Sequence, residues 1–231
     1  MTKITLCYDI VSPWSLFAYK ILQRYRSAWD YELILRPIFL GGVMKESGNR
    51  PPVTVKNKGK WMSFSDMPIF SDMSNIPYKF PETFPINTIQ CMRFLRAVQQ
   101  LHPEKLEKAT DLFWDLFWNR SQGHSAKEAI DPTFFSEKFV SSGLFSQEQI
   151  SKILDTAQSE EIKGALKDEA ADLVNKDGAF GFPWIIVEKN GGEAKRSFFG
   201  ADRFEHIAFF LGKTWNGPRG PTQSTAGRSK L

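Results

Sequence analysis

Residues 8–15 read YDIVSPWS, and the fold turns on how this stretch is divided. Before it, Ile4, Leu6, Tyr8 and Ile10 alternate with other positions, the period of two that sets one row of side chains on one face of a strand. At Ser12 the pattern stops. A serine there is a good helix N-cap, because its hydroxyl can accept from a backbone N–H of the first turn. Pro13 then falls at N1, where a missing N–H costs nothing. Leu16, Phe17, Tyr19, Ile21 and Leu22 recur at helical spacing as far as Arg26. Residues 31–40, YELILRPIFL, make a second strand, with Pro37 marking its end or an edge position, since proline cannot donate to a ladder. Strand, helix and strand in close succession form a βαβ unit.

Beyond residue 56 the period changes. Ile86, Ile89, Leu95, Val98 and Leu101 form one helical stripe, and Leu106, Leu112, Phe113, Leu116 and Phe117 another within Pro103 to Trp118. Asp131-Pro132 repeats the cap-then-proline signal, and Ser146 to Gln149 fits a capping box. Ile162, Leu166, Ala170, Leu173 and Val174 close this block. These stripes read as core, some of which lines an apolar pocket. Strand signals return at Trp184 to Glu188, followed by Asn190-Gly191-Gly192, a hairpin turn, then Arg196 to Phe199 and a closing helix from Asp202 to Leu211. The expected fold is α/β. A βαβ half and a ββα half, residues 1–55 and 176–218, make a thioredoxin-like domain, split by an inserted all-α domain over 56–175. Residues 219–231 read as a flexible tail.

The chain has 231 residues, of which 42% are hydrophobic, enough for a sizeable core. No apolar run approaches the roughly 20 residues of a membrane helix, so we expect a soluble chain without a membrane span. Net charge is +4 with acidic residues interleaved throughout, so no nucleic-acid stripe stands out. The one local excess is Lys45, Arg50, Lys56, Lys58 and Lys60 against Glu46, either a solvated loop or a cradle for a small anion. Cys7 and Cys91 lie far apart, without CxxC, and His102, His124 and His206 are scattered, so neither a metal site nor a disulfide framework is expected. The first residues show no transit or signal pattern. The last three, Ser229-Lys230-Leu231, match a peroxisomal import address, which implies an import receptor as a partner.

In the thioredoxin-like arrangement a redox CxxC lies at the first strand-to-helix junction. Here that junction is Ser12-Pro13-Trp14-Ser15, with serine at both cysteine positions. The place that stabilises a thiolate, a helix N-terminus, is kept while the sulfur is absent. A ligand can bring it.

The motifs YDIVSPWS, RPIFLGGVMKESGNRPP, KGKWM, MRFLRAV, GAFGFP and FFGADR, spread from Lys3 to Pro218, together resemble the kappa class of glutathione transferases, a mitochondrial and peroxisomal family on a thioredoxin-like, disulfide-oxidase-type plan. The resemblance implies glutathione as co-substrate, no metal, a homodimer, and conjugation of small hydrophobic electrophiles with reduction of peroxides as a second activity. Its peroxisomal and mitochondrial members leave a mitochondrial pool open beside the peroxisomal address. It implies that Ser12, otherwise a plain helix cap, donates to the glutathione sulfur. A helix terminus contributes ~0.3–2 kcal/mol and a hydrogen bond to a charged group ~1.5–3 kcal/mol, which together lower a thiol pKa by about one to three units. Pro13 and Trp14 would line the sulfur pocket. Phe182-Pro183 would be the cis-proline loop, offering the Phe182 backbone to the cysteinyl residue. Asp202, which also fits an N-cap of the last helix, would meet the γ-glutamyl amine. Ala201 stands where the family commonly has serine and would use its backbone N–H on the γ-glutamyl carboxylate. Asn49 and Lys58 complete the set, Lys58 facing the glycyl carboxylate as a point charge. Two other functions fit the same features: a glutathione-dependent isomerase of the 2-hydroxychromene-2-carboxylate type, and a non-catalytic thioredoxin-fold chaperone or assembly factor.

Overall fold

The first strand, β1 (Thr2–Tyr8), ends two residues earlier than its alternation suggests, although Ile10 stays buried. The structure, a computed structural model, describes residues 1–189, 191, 192 and 194–221. Helix α1 (Pro13–Trp29) follows the turn and runs past Arg26 to an αL cap at Asp30. Strand β2 (Tyr31–Pro37) lies parallel to β1, with Thr2 opposite Tyr31 and Tyr8 opposite Pro37. Pro37 is the last residue of an edge strand, where its missing donor is tolerated. The sequence carried this strand on to Leu40. Instead Leu40 opens α2 (Leu40–Ser47), because Phe39 is an extended N-cap and the Leu40 N–H turns to the Asp9 carboxylate.

The basic stretch is therefore not one loop. It holds the end of α2, a 3-10 turn at Pro52–Thr54 and α3 (Lys56–Trp61), with all five cations exposed. A π-helical turn (Met62–Asp66) joins α3 to α4 (Met67–Ser74). Helix α5 (Ile89–Leu101) starts three residues later than its stripe, where the Asn87 side chain accepts the Ile89 N–H. Then come α6 (Leu106–Trp114), continued by a π turn to Asn119, α7 (Ala126–Ala129), α8 (Pro132–Ser141), α9 (Gln147–Ala157) and α10 (Glu160–Asp177). Both sequence-predicted caps are present: Asp131 accepts from Thr133 and Phe134, and Ser146 and Gln149 close a reciprocal box.

Strands β3 (Trp184–Lys189) and β4 (Ala194–Phe199) complete an antiparallel hairpin, and β3 pairs antiparallel with β1, giving the order β2-β1-β3-β4. Asn190 of the expected turn lies outside the described residues. The last helix, α11 (Phe204–Leu211), begins after Arg203, so Asp202 does not cap it.

Side chains alternate across the sheet. Ile4, Leu6 and Tyr8 share one core with α1, α11 and most of the helical block, while Cys7, Trp184 and Ile186 share a second with Val43 of α2 and Ala170 and Leu173 of α10. Residue 175, the expected end of the helical insertion, lies inside α10, which packs on the sheet. Phe94, Phe113, Phe135, Phe139 and Phe145 form the aromatic centre of the helical block, with neighbouring ring centroids 4.8–6.5 Å apart. Burial of each such ring is worth roughly 1.5–3 kcal/mol. Beyond α11 the chain is tied down as far as Arg219: Trp215 stacks on Phe204 and Tyr25, and Arg219 donates to the carbonyls of Asp72 and Met73. Residues 222–231, with the terminal tripeptide, lie outside the described residues.

Candidate functional site

Apart from Lys58, which sits on α3, the candidate residues gather where β1 hands over to α1 and along the cis-proline loop. The Ser12 backbone is extended (φ −86°, ψ 112°), and its hydroxyl accepts the Ser15 N–H at 3.2 Å, so the cap read from sequence is real. The same hydroxyl donates to the carbonyl of Phe182 at 3.2 Å. The Phe182–Pro183 bond is cis, as the resemblance implied. This loop and the α1 N-terminus thus meet through Ser12, whose side chain is nearly buried. The Phe182 carbonyl, expected to face a ligand, is engaged by Ser12.

Two further tethers assemble the surroundings. Gly200, at φ +98°, donates its N–H to the Pro183 carbonyl at 3.1 Å, which brings the following Ala201 and Asp202 beside the cis-proline loop. Ala201 is buried; Asp202 is exposed and pairs with Arg203 at 2.7 Å. Asn49 donates to the Phe180 carbonyl at 2.6 Å, fixing the segment after α2 against the same loop. Trp14 packs edge-on against Phe17 and Phe70, with centroids 5.6 and 5.3 Å away, so α4 forms the opposite wall. The Lys58 side chain is exposed and has no hydrogen bond or ion pair among the described residues, while its carbonyl accepts the Met62 N–H.

Two acids were missed from sequence. Burial and, secondarily, the charge of Asp202 push the carboxyl of Asp66, on the π turn before α4, above its ordinary value. It lies four residues beyond the KGKWM motif, and no sequence pattern marks it. Asp9, inside the opening motif, is wholly buried; burial pushes its carboxyl up to about 6, against hydrogen bonds from Val11, Leu40 and Thr88 that lower it. Both cysteines are buried, and burial pushes the Cys7 thiol up to about 12 and Cys91 well above its usual value, so neither is a ready nucleophile. No cluster of metal-ligating side chains occurs among the described residues. What the site offers is a seryl hydroxyl at a helix N-terminus, tied to the cis-proline loop, with the Asp202 carboxylate carried beside the same loop.

Residues 3–212 match the DSBA-like thioredoxin domain family. Over 94% of this chain and 94% of the relative, the sequence is 34% identical to glutathione S-transferase kappa 1 of Homo sapiens. The chain belongs to the kappa class of glutathione transferases. The Rattus norvegicus kappa 1 protein is likewise 34% identical, over 95% of each chain. Beyond the kappa class, a solved 2-hydroxychromene-2-carboxylate isomerase superposes with a TM-score of 0.70 over 91% of this chain and 94% of that one, at 17% identity, which shows a common fold. The kappa-class assignment agrees with the serines at 12 and 15, which leave this member of a disulfide-oxidase-like family without a dithiol of its own.

Proposed function

We propose that this kappa-class chain binds glutathione along the cis-proline loop and transfers its thiolate to a small hydrophobic electrophile. The carrying observation is the Ser12 hydroxyl, held at the α1 N-terminus by the Ser15 N–H and donating to Phe182. An arriving thiolate takes over that proton, being a stronger acceptor than a neutral carbonyl. The hydroxyl and the helix terminus then favour the ionised sulfur, which attacks carbon or a peroxide oxygen with no covalent link to the enzyme. Asp202 meets the γ-glutamyl amine, with Asp66 adding negative potential, the Ala201 N–H meets the γ-glutamyl carboxylate, and Lys58 meets the glycyl carboxylate. Asn49 orients the loop that pairs with the peptide backbone. Conjugation of a model aryl halide, measured beside pyran-ring isomerisation, tests the reaction. Turnover of the pyran alone would make the chain an isomerase, and glutathione binding with neither activity would favour a chaperone.

The same reading makes the chain a homodimer. Trp61, Phe64, Ile69 and Met73 are 58%, 80%, 67% and 48% exposed on the α3–α4 segment, apolar surface that a second copy would cover. We also assign the chain to peroxisomes through Ser229-Lys230-Leu231 and its import receptor, with detoxification of electrophiles as its role there. A fluorescent fusion lacking these three residues should lose its peroxisomal pattern; unaltered localisation would show that the address is not read. A mitochondrial pool would appear as signal that survives the deletion.

A further inference from the structure

Asp9 has no part in the chemistry above, yet it is built into the site at considerable expense. Its carboxylate is fully buried, and no basic side chain pairs with it among the described residues. It accepts three hydrogen bonds: from the Val11 N–H at 3.0 Å, the Thr88 hydroxyl at 2.7 Å and the Leu40 N–H at 2.8 Å. The donors belong to three different segments. Val11 lies in the turn that carries Ser12, Leu40 opens the helix that leads to Asn49, and Thr88 precedes α5. The Asp9 carbonyl also accepts the Ser12 N–H at 3.0 Å, and the next carbonyl, that of Ile10, accepts the Trp118 indole N–H at 2.7 Å. The turn is thus gripped through side chain and main chain at once. A core needing only volume here would be better served by a neutral or apolar residue, because a buried charge must be compensated by every contact around it.

We propose that Asp9 is a positioning residue of the transfer reaction: it locks the turn at residues 9–12 against α2 and α5 so that the Ser12 hydroxyl stands where the glutathione sulfur arrives. It acts through Ser12 and does not touch glutathione. The inference rests on the function proposed above.

The test is a double-mutant cycle of Asp9→Asn with Ser12→Ala in the full chain, using glutathione and an aryl halide. Asparagine keeps the size, but in either orientation its NH2 group faces a backbone N–H, that of Val11 or of Leu40. In the wild-type background Asp9→Asn should lower kcat by about tenfold to a hundredfold with little change in the KM for glutathione, the effect expected of a misplaced catalytic group. The pKa of the enzyme-bound thiol, read from thiolate absorbance, should rise. In the Ser12→Ala background both effects should vanish. Thr88→Val, which removes one donor at constant shape, should give a smaller change in the same direction, and it carries the cycle if Asp9→Asn fails to fold. Unchanged turnover, or an equal loss with and without Ser12, overturns the proposal. A wild-type chain that binds no glutathione counts against the function itself, whereas a normal wild-type thiolate band with an additive cycle counts against Asp9 alone.

Discussion

The Ser12 hydroxyl donates to the carbonyl of Phe182 across 3.2 Å, joining residues 170 positions apart in the chain. A hydroxyl has one proton, so a thiolate at this place must draw it from the carbonyl. Ser12→Ala should therefore raise the pKa of bound glutathione and reduce conjugation by about tenfold to a hundredfold, the equivalent of one lost hydrogen bond to a charged group. Glutathione affinity should change little, because the tripeptide is held mainly at its backbone and carboxylates. Steady-state kinetics with a binding titration separates the two; wild-type turnover in the variant would remove Ser12 from the mechanism. The variant also loses the cap to Ser15, so a fall of about 1 kcal/mol in stability is expected in denaturant melts.

The buried Asp9 carboxyl makes stability depend on pH. Its pKa rises from 3.8 to about 6 on folding, because burial disfavours the charge more than three hydrogen bonds favour it. The folded state therefore holds this proton more tightly than the unfolded state. The stabilising effect of protonation is full below pH 3.8 and is lost as pH climbs through about 6. Tyr8 and Cys91, the titratable groups facing this charge, are both pushed up by burial and stay neutral throughout that window. Asp9→Asn should remove this segment of the pH dependence, a slope integrating to the order of 2–3 kcal/mol. Urea melts of both chains between these pH values check it, and parallel curves would contradict it.

Lys58 is exposed, so its pull on a carboxylate is screened. Lys58→Gln should weaken glutathione binding by no more than about fivefold, the scale of a surface ion pair. The difference should shrink in high salt and be absent for glutathione esterified at its glycyl carboxylate. Calorimetric titration of both ligands decides this, and equal losses for acid and ester would place Lys58 elsewhere.

Phe64 is 80% exposed on the outer face of the π-helical turn between α3 and α4. A glutamate there would set charge into any interface that covers this face. Phe64→Glu should convert a dimer to a monomer in light scattering, with the circular dichroism of the monomer unchanged. A variant that remains dimeric would move the interface to another surface.

The βαβ start, the ββα end and the caps at Ser12, Asp131 and Ser146 were readable from local spacing, and the vacant dithiol positions at 12 and 15 from the fold that this order resembles. Alternation and capping depend on residues within about four positions of one another, so a linear text preserves them. Asp202 as a cap was misread because Gly200 turns the chain toward Pro183 and delays the helix to Phe204. Helix α2 was missed because its N–H partner, Asp9, comes from 31 positions away.

Composition and periodicity were enough for a split α/β chain with a seryl helix cap, and the resemblance to a thioredoxin-like arrangement implied that this serine stands in place of cysteine. Folding alone joined Ser12 to Phe182, Asn49 to Phe180, and Asp9 to Val11, Leu40 and Thr88. Such pairings arise where strand ends, loops and crossing helices converge. A buried carboxylate finds its donors through that convergence, across distances in sequence that no local pattern encodes.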